Sequence, residues 1–415
     1  MSRRDDVIII GGGVIGLSCA LALAEAGRQV RVLDAGQIGG GASHGNCGTL
    51  TPSHAPPLAA PGMALQALRW MLRPDAPLYI PPRFDPALWR WLAGLATRCN
   101  PCDWRASAGA RAALLHDSQA RLGDWIARYG IACEYRRDGV DYVYRDPAAF
   151  EAMLAGLHEL QALGVESWAI AGVDYVREES AVLPGIAGVV HFPGDASLRP
   201  DALVAGLARA AREAGATLEE DCDVHDVQAT RGGMRLRTAR DKREAGDVVI
   251  ALGAWSPLLA RRLGIRLPMQ PGKGYSMTWS PPLLTPKRPL VLREVAVCVT
   301  SWSGGFRLGS TMEFSGFDTS LDPRRLDALE RGAATYLHEP RGARLLERWY
   351  GWRPMMLDDV PVIGRVPRHE HLWLATGHGM LGMSMCAASG QLLADLMTQR
   401  PTSIDPAPYR PERFC

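Results

Sequence analysis

Near the start of the chain a run of four apolar residues, Val7-Ile8-Ile9-Ile10, leads straight into three glycines spaced as Gly11, Gly13 and Gly16. The apolar run suits a parallel strand covered on both faces. The segment after it carries Leu17, Leu21 and Ala24 on one helical stripe. Gly27 stands where a left-handed residue ends a helix, and residues 29–33 read as the next strand. Each glycine then has its own task. The first permits the tight turn, the second lets backbone approach a pyrophosphate, and the third lets helix and strand pack closely. Val14 and Ile15 open the helix, whose free N–H groups and positive dipole end face the phosphates. Asp34, followed by Ala35, closes the second strand about 18 residues past Gly16. A carboxylate there accepts hydrogen bonds from ribose hydroxyls and repels a 2′-phosphate. The unit predicts a dinucleotide site, and by itself it does not separate a flavin from a nicotinamide.

At 415 residues the chain is long enough for two or three domains. A formal charge of only +2 gives no electrostatic footprint for nucleic acid. Of 46 basic residues only Lys242, Lys273 and Lys287 are lysine, so each lysine stands out against the arginines. The nine cysteines are odd in number and scattered, against a disulfide framework. Cys99 and Cys102 make a single CxxC with no second pair, so no metal is expected. No signal peptide precedes the first strand, and no apolar run reaches the roughly 20 residues that span a bilayer. A cytoplasmic protein is expected, with peripheral contact at the inner membrane open for the Trp- and Leu-rich stretch near residues 58–95.

Further along, short helices are expected between the prolines of 51–105, and longer ones over 106–129, 147–163 and 200–216. Residues 224–227 and 248–252 read as strands rejoining the first sheet. A strand-rich stretch follows over 269–314, then a charged helical one over 322–348. Residues 372–375 form a strand, followed by a glycine-rich loop and a helix from about 383 to 397. The proline-rich tail from 401 wraps the surface.

Three further segments narrow the reading: Gly41-Ala42-Ser43-His44-Gly45-Asn46-Cys47-Gly48; Gly351-Trp352-Arg353-Pro354 ahead of Asp358, Pro361 and Gly364; and Thr376-Gly377-His378-Gly379-Met380-Leu381-Gly382. In that order they resemble the D-amino acid oxidase superfamily of flavoproteins, most nearly its bacterial D-amino acid dehydrogenase branch. Residues 268–275, 308–314 and 59–62 fit the same branch, so the resemblance spans essentially the whole chain. It implies an α/β fold of the D-amino acid oxidase and glutathione-reductase-2-like type. A discontinuous Rossmann-like FAD-binding domain (1–80, 193–262 and 350–415) is expected with a mixed-sheet α+β substrate domain (81–192 and 263–349). It also implies FAD as cofactor, an amino or imino acid as substrate, and a quinone or other non-oxygen acceptor. Cyclic imino acids such as D-proline or hydroxy-D-proline fall within that class. A glycine- or sarcosine-type oxidase releasing peroxide and a non-catalytic or NAD-linked subunit are the rival readings.

The same resemblance places Ser43, Asn46 and Gly48 along the isoalloxazine, Val224 by the adenine and Gly253 near the cofactor. A helix start at Gly377–Gly382 suits the negative charge that a reduced flavin gains at N1–C2=O, with His378 as an added donor. Arg353 is the expected carboxylate ligand, because a guanidinium offers two parallel hydrogen bonds. Lys273 reads as a site where a compact ammonium is needed. Tyr275 is expected to line the pocket or to fill core. His44 stands where the family has an aromatic beside the flavin. Met356, Leu357 and Asp359 depart from the family's Thr-Pro-Asp-Gly, a change that bears on substrate size and polarity.

Overall fold

A computed structural model describes residues 5–63 and 78–414. The first sheet has a parallel centre. Its strands run Leu372–Thr376, Lys242–Ile250, Asp5–Ile10, Val30–Leu33 and Thr217–Glu219, side by side in that order. The antiparallel strands Val224–Thr230 and Gly233–Thr238 extend it along the first half of Lys242–Ile250. Val362–Arg365 pairs with Leu372–Thr376 on the other side. Continuous burial of Val7 to Ile10 follows from cover on both faces. One face carries the helix Val14–Glu25, the helix Pro200–Glu213 and the C-terminal helix Gly382–Met397.

Among the described residues the second sheet has ten strands. Its spine is the pair Met269–Trp279 and Leu345–Met356, antiparallel over almost their full length. Gly305–Gly309, Val297–Trp302, Leu290–Leu292, Val140–Tyr144, Gly188–Phe192 and Trp168–Ala171 continue it outward. The helix Pro323–Ala334 packs on this sheet through Leu326, Leu329 and Ala333.

Three expectations change. Helix in the 322–348 stretch stops at Ala334, and residues from Leu345 onward are strand, because they pair with Met269–Trp279 and tertiary pairing overrides local charge patterning. That strand runs to Met356, so residues 350–356 belong to the second sheet although they were assigned to the cofactor domain. Conversely, the long helix Pro101–Arg128 was assigned to the substrate domain. It packs against Gly382–Met397 and buries Leu114, Leu115, Leu122 and Trp125 in the first core.

Of the Trp-rich stretch, residues 64–77 lie outside the described part. Ile80, Leu88 and Trp91 fill a core with Phe314 and Met355, while Phe84 and Trp89 are exposed. Among the described residues no helix is long and apolar enough to cross a membrane. The tail is tied down: Tyr409 is buried and its hydroxyl donates to Ala110 O at 2.6 Å.

Candidate active site

A cavity of about 1740 Å³ is lined from both sheets. Gly11, Gly13, Val14 and Ile15 line it together with Asp34, Ala35 and Val224. The glycine turn is as tight as its spacing requires. Gly11 has φ +110°, and a Cβ on Gly16 would come within 1.9 Å of Gly11 O. Asp34 accepts from Gly12 N at 2.7 Å and from Gly36 N at 2.9 Å, which fixes its carboxylate beside the turn. Ser43 Oγ accepts from Val14 N at 3.1 Å and brings the next loop against the helix start.

Farther in, Ser43, Asn46 and Gly253 line the cavity, as do His378, Gly379, Met380, Leu381 and Gly382. Gly16, Gly48 and Gly377 are not among its lining residues. The helices Val14–Glu25 and Gly382–Met397 both begin at this cavity, and neither has a side-chain cap. First-turn N–H groups have no intrahelical partners, so both helix starts offer donors at the cavity, with Val14 N already taken by Ser43 Oγ. A dinucleotide carrying a pyrophosphate at one helix start and an electron-accepting ring at the other fits that arrangement. His378 is buried and its Nε2 meets Ser389 Oγ at 2.8 Å. Burial pushes its pKa down to about 3, so it meets the cavity as a neutral ring.

Arg353 also faces this cavity. It shares a strand face with Gly272 and Gly274 across the pair, since side chains alternate along a strand. A Cβ on Gly274 would sit 2.4 Å from its guanidinium, so the glycine opens the space that Arg353 occupies. Nη1 donates to Thr311 O at 2.7 Å. Among the described residues no carboxylate pairs with it, and burial lowers its pKa. The charge is held in place by the carbonyls of Thr311 and Ser310.

Two expected site residues, Lys273 and His44, stand off the cavity lining, while Tyr275 keeps its place in the wall with its hydroxyl engaged. Lys273 is fully buried away from the cavity lining. Its Nζ donates to Asp318 Oδ2 at 2.7 Å and lies 5.1 and 5.0 Å from the ring centres of Tyr275 and Tyr350. The alternation that turns Arg353 toward the cavity turns Lys273 to the opposite face. Tyr275 reaches the wall, but its hydroxyl donates to Glu313 Oε2 at 2.9 Å. His44 turns outward to Glu347 Oε1 at 2.7 Å, and that hydrogen bond raises its pKa. Glu347 also pairs with Arg307, whose Nη1 donates to Asn46 O at 2.7 Å, so His44 helps tie the 43–47 loop to the second sheet.

Reading the sequence missed a polar wall opposite the glycine turn. Thr51, Ser53 and His54 line the cavity together with Tyr142. They lie on a short 3-10 turn, Pro52–His54, within the proline-rich stretch. A histidine between prolines was the available signal, but its partner Tyr142 is 88 residues away. Asp359, the departure from the family's glycine, has φ +56°. Its carboxylate pairs with Arg111 at 3.3 Å and accepts from Leu58 N at 2.5 Å, while Arg111 Nη2 donates to His54 O at 2.8 Å. The extra carboxylate thus braces the 51–58 wall.

The layered fold, the glycine turn and the second helix start define a flavin dinucleotide oxidoreductase. The family model for DAO, FAD dependent oxidoreductase, matches residues 6–396, and the chain belongs to that family. FAD is its cofactor. A D-amino acid dehydrogenase of Cereibacter sphaeroides is 33% identical over 98% of this chain and 95% of its own length. One of Chromohalobacter salexigens is 32% identical over 99% of both. Among solved structures, glycine oxidase from Geobacillus kaustophilus superposes with a TM-score of 0.77 at 24% identity, covering 99% of this chain and 98% of that one. L-proline dehydrogenase from P. horikoshii gives 0.77 at 18%, covering 100% and 98%. These two likenesses bear on the fold.

Proposed function

We propose that the chain is a dehydrogenase of D-amino acids, cyclic imino acids such as D-proline or hydroxy-D-proline included. Its electrons pass to a quinone or another non-oxygen acceptor. The observation that carries this reading is Arg353, a guanidinium at the cavity wall with no carboxylate partner among the described residues. Leaving such a charge uncompensated is costly unless a ligand supplies the counter-ion. A substrate carboxylate does so with two parallel hydrogen bonds and thereby fixes its α-carbon. The two curated relatives named D-amino acid dehydrogenase support the substrate class.

Bound FAD supplies the hydride acceptor at N5. The protein holds the substrate in place and excludes water. Tyr275, buried and bonded to Glu313, gives the wall a fixed apolar ring. The Gly382–Met397 helix start and neutral His378 would supply hydrogen-bond donors to negative charge on the reduced ring. No side-chain base is required at the α-carbon, because the nitrogen lone pair assists loss of hydride once the amine is neutral.

The test is anaerobic bleaching of the purified yellow protein by a panel of D- and L-amino acids, with the proline and hydroxyproline isomers included. D-isomers should bleach it and reoxidation by a quinone should be faster than by air. A flavin that no member bleaches removes the proposal. Rapid peroxide release under air would move the chain to the oxidases.

A further inference from the structure

A continuous hydrogen-bonded chain leads from the cavity into the protein. Thr51 Oγ1 meets His54 Nδ1 at 3.0 Å, and His54 Nε2 meets the Tyr142 hydroxyl at 2.9 Å. Tyr142 meets Ser53 Oγ at 3.0 Å, and Ser53 Oγ donates to Asp195 Oδ2 at 2.5 Å. Ser53 N also donates to Asp195 Oδ1 at 3.1 Å. Asp195 is 1% exposed and does not line the cavity, whereas the other four residues do.

The donor inventory gives this chain one direction. An ionised Asp195 only accepts, so Ser53 spends its hydrogen on it. Ser53 oxygen then accepts from Tyr142, whose own oxygen must accept from His54 Nε2–H. That leaves Nδ1 bare, and Thr51 donates its hydrogen there. Thr51 oxygen is left offering lone pairs to the cavity. Protonating Asp195 reverses every link, and Thr51 then offers a hydrogen instead.

We propose that Thr51, His54, Tyr142 and Ser53 relay a proton from the substrate's ammonium group to Asp195, so that the amine becomes neutral before hydride leaves. The inference rests on the amino-acid reading above. The substrate N–H bond breaks and a bond forms to Thr51 oxygen. Thr51 passes its hydrogen to Nδ1, Nε2 passes its hydrogen to Tyr142, Tyr142 to Ser53, and Ser53 to the carboxylate. The net change is one proton moved, with no electrons transferred, and it returns to solvent as product leaves.

The electrostatics favour a concerted passage. Burial pushes His54 down to about 3 and holds Tyr142 protonated, so neither a standing imidazolium nor a phenolate is favoured. Burial raises Asp195 to about 7, between a carboxylate and the ammonium it must accept from. The charges facing the chain are Arg293, 5.3 Å from the Tyr142 ring centre, and Arg111, which donates to His54 O and pairs with Asp359. Among the described residues, the Asp195 carboxylate accepts hydrogen bonds from Ser53 N and Ser53 Oγ.

The experiment is stopped-flow flavin reduction against pH, using the amino acid that bleaches the wild type fastest in the panel above. The wild-type rate should rise with pH through about 7. Asp195→Asn keeps the shape and removes the terminal base. It should move the rise up by at least about one pH unit and slow reduction at pH 7 by about 10²-fold. Tyr142→Phe should do the same, and the double variant should be no slower than either. Where Asp195→Asn does not retain FAD, Tyr142→Phe with full flavin content decides alone. FAD-loaded variants whose rise stays at the wild-type pH overturn the relay and leave the amino-acid reading intact. A wild type that no amino acid bleaches overturns both.

Discussion

Arg353 is charged, held by Thr311 O and without a carboxylate partner among the described residues. Charge-assisted hydrogen bonds contribute about 1.5–3 kcal/mol each. Replacing Arg353 by Met should therefore lower kcat/KM by roughly 10²- to 10³-fold, mostly through KM, measured by steady-state dye reduction with flavin content unchanged. Asp359 makes a second residue-scale prediction. A glycine there relieves the cost of a positive φ, about 1–2 kcal/mol. It also strips Arg111 of its buried partner, and breaking such a pair costs about 3–5 kcal/mol. The second effect is larger, so Asp359→Gly should lower the denaturant midpoint and loosen the 51–58 wall.

At the level of elements, the βαβ turn and the Met269–Trp279 and Leu345–Met356 pair do most to place the chemistry. The turn depends on backbone contact between Gly16 and Gly11, where no side chain fits. Gly16→Ala should yield colourless protein, or protein that releases FAD on dilution, while far-ultraviolet circular dichroism stays near wild type. The strand pair sorts side chains by alternation. Gly272, Gly274 and Arg353 take one face, and Lys273 and Tyr275 take the other. One residue of register separates the cavity-facing guanidinium from a buried lysine that anchors Asp318.

Across the whole molecule, the buried titratable groups set how stability depends on pH. His54 and His378 are both pushed down to about 3 from an ordinary 6.5. Between those values the unfolded chain binds protons that the folded chain refuses, so stability falls as pH drops through that window. Each histidine contributes on the order of 4 kcal/mol across it. Asp195 acts oppositely. Its pKa is raised from 3.8 to about 7, so it costs stability as pH rises through that range. Asp359, raised by burial, acts with Asp195, while Asp141, Glu219 and Glu347, held low by hydrogen-bonded partners, act with the two histidines, so the Tm should fall between pH 6.5 and 4. His378→Asn should flatten that fall in calorimetry at fixed FAD.

The glycine turn, Asp34, the buried first strand and the Gly377–Gly382 helix start were legible in order, because each depends on local backbone geometry that residue type dictates. Arg353 was legible through its motif neighbours. Lys273, Tyr275 and His44 look equally functional along the chain, yet Asp318 and Glu347 hold Lys273 and His44 off the cavity lining, and only Tyr275 stays in the wall, its hydroxyl bonded to Glu313. The Thr51 to Asp195 chain left no pattern to find, since Tyr142 and Asp195 lie 88 and 142 residues along the chain from His54 and Ser53, the partners they meet. Residue type and spacing thus determined that the chain binds a dinucleotide beside a cation. Only the tertiary structure decided which polar groups share the cavity, because long-range packing brings those donors and acceptors within bonding distance.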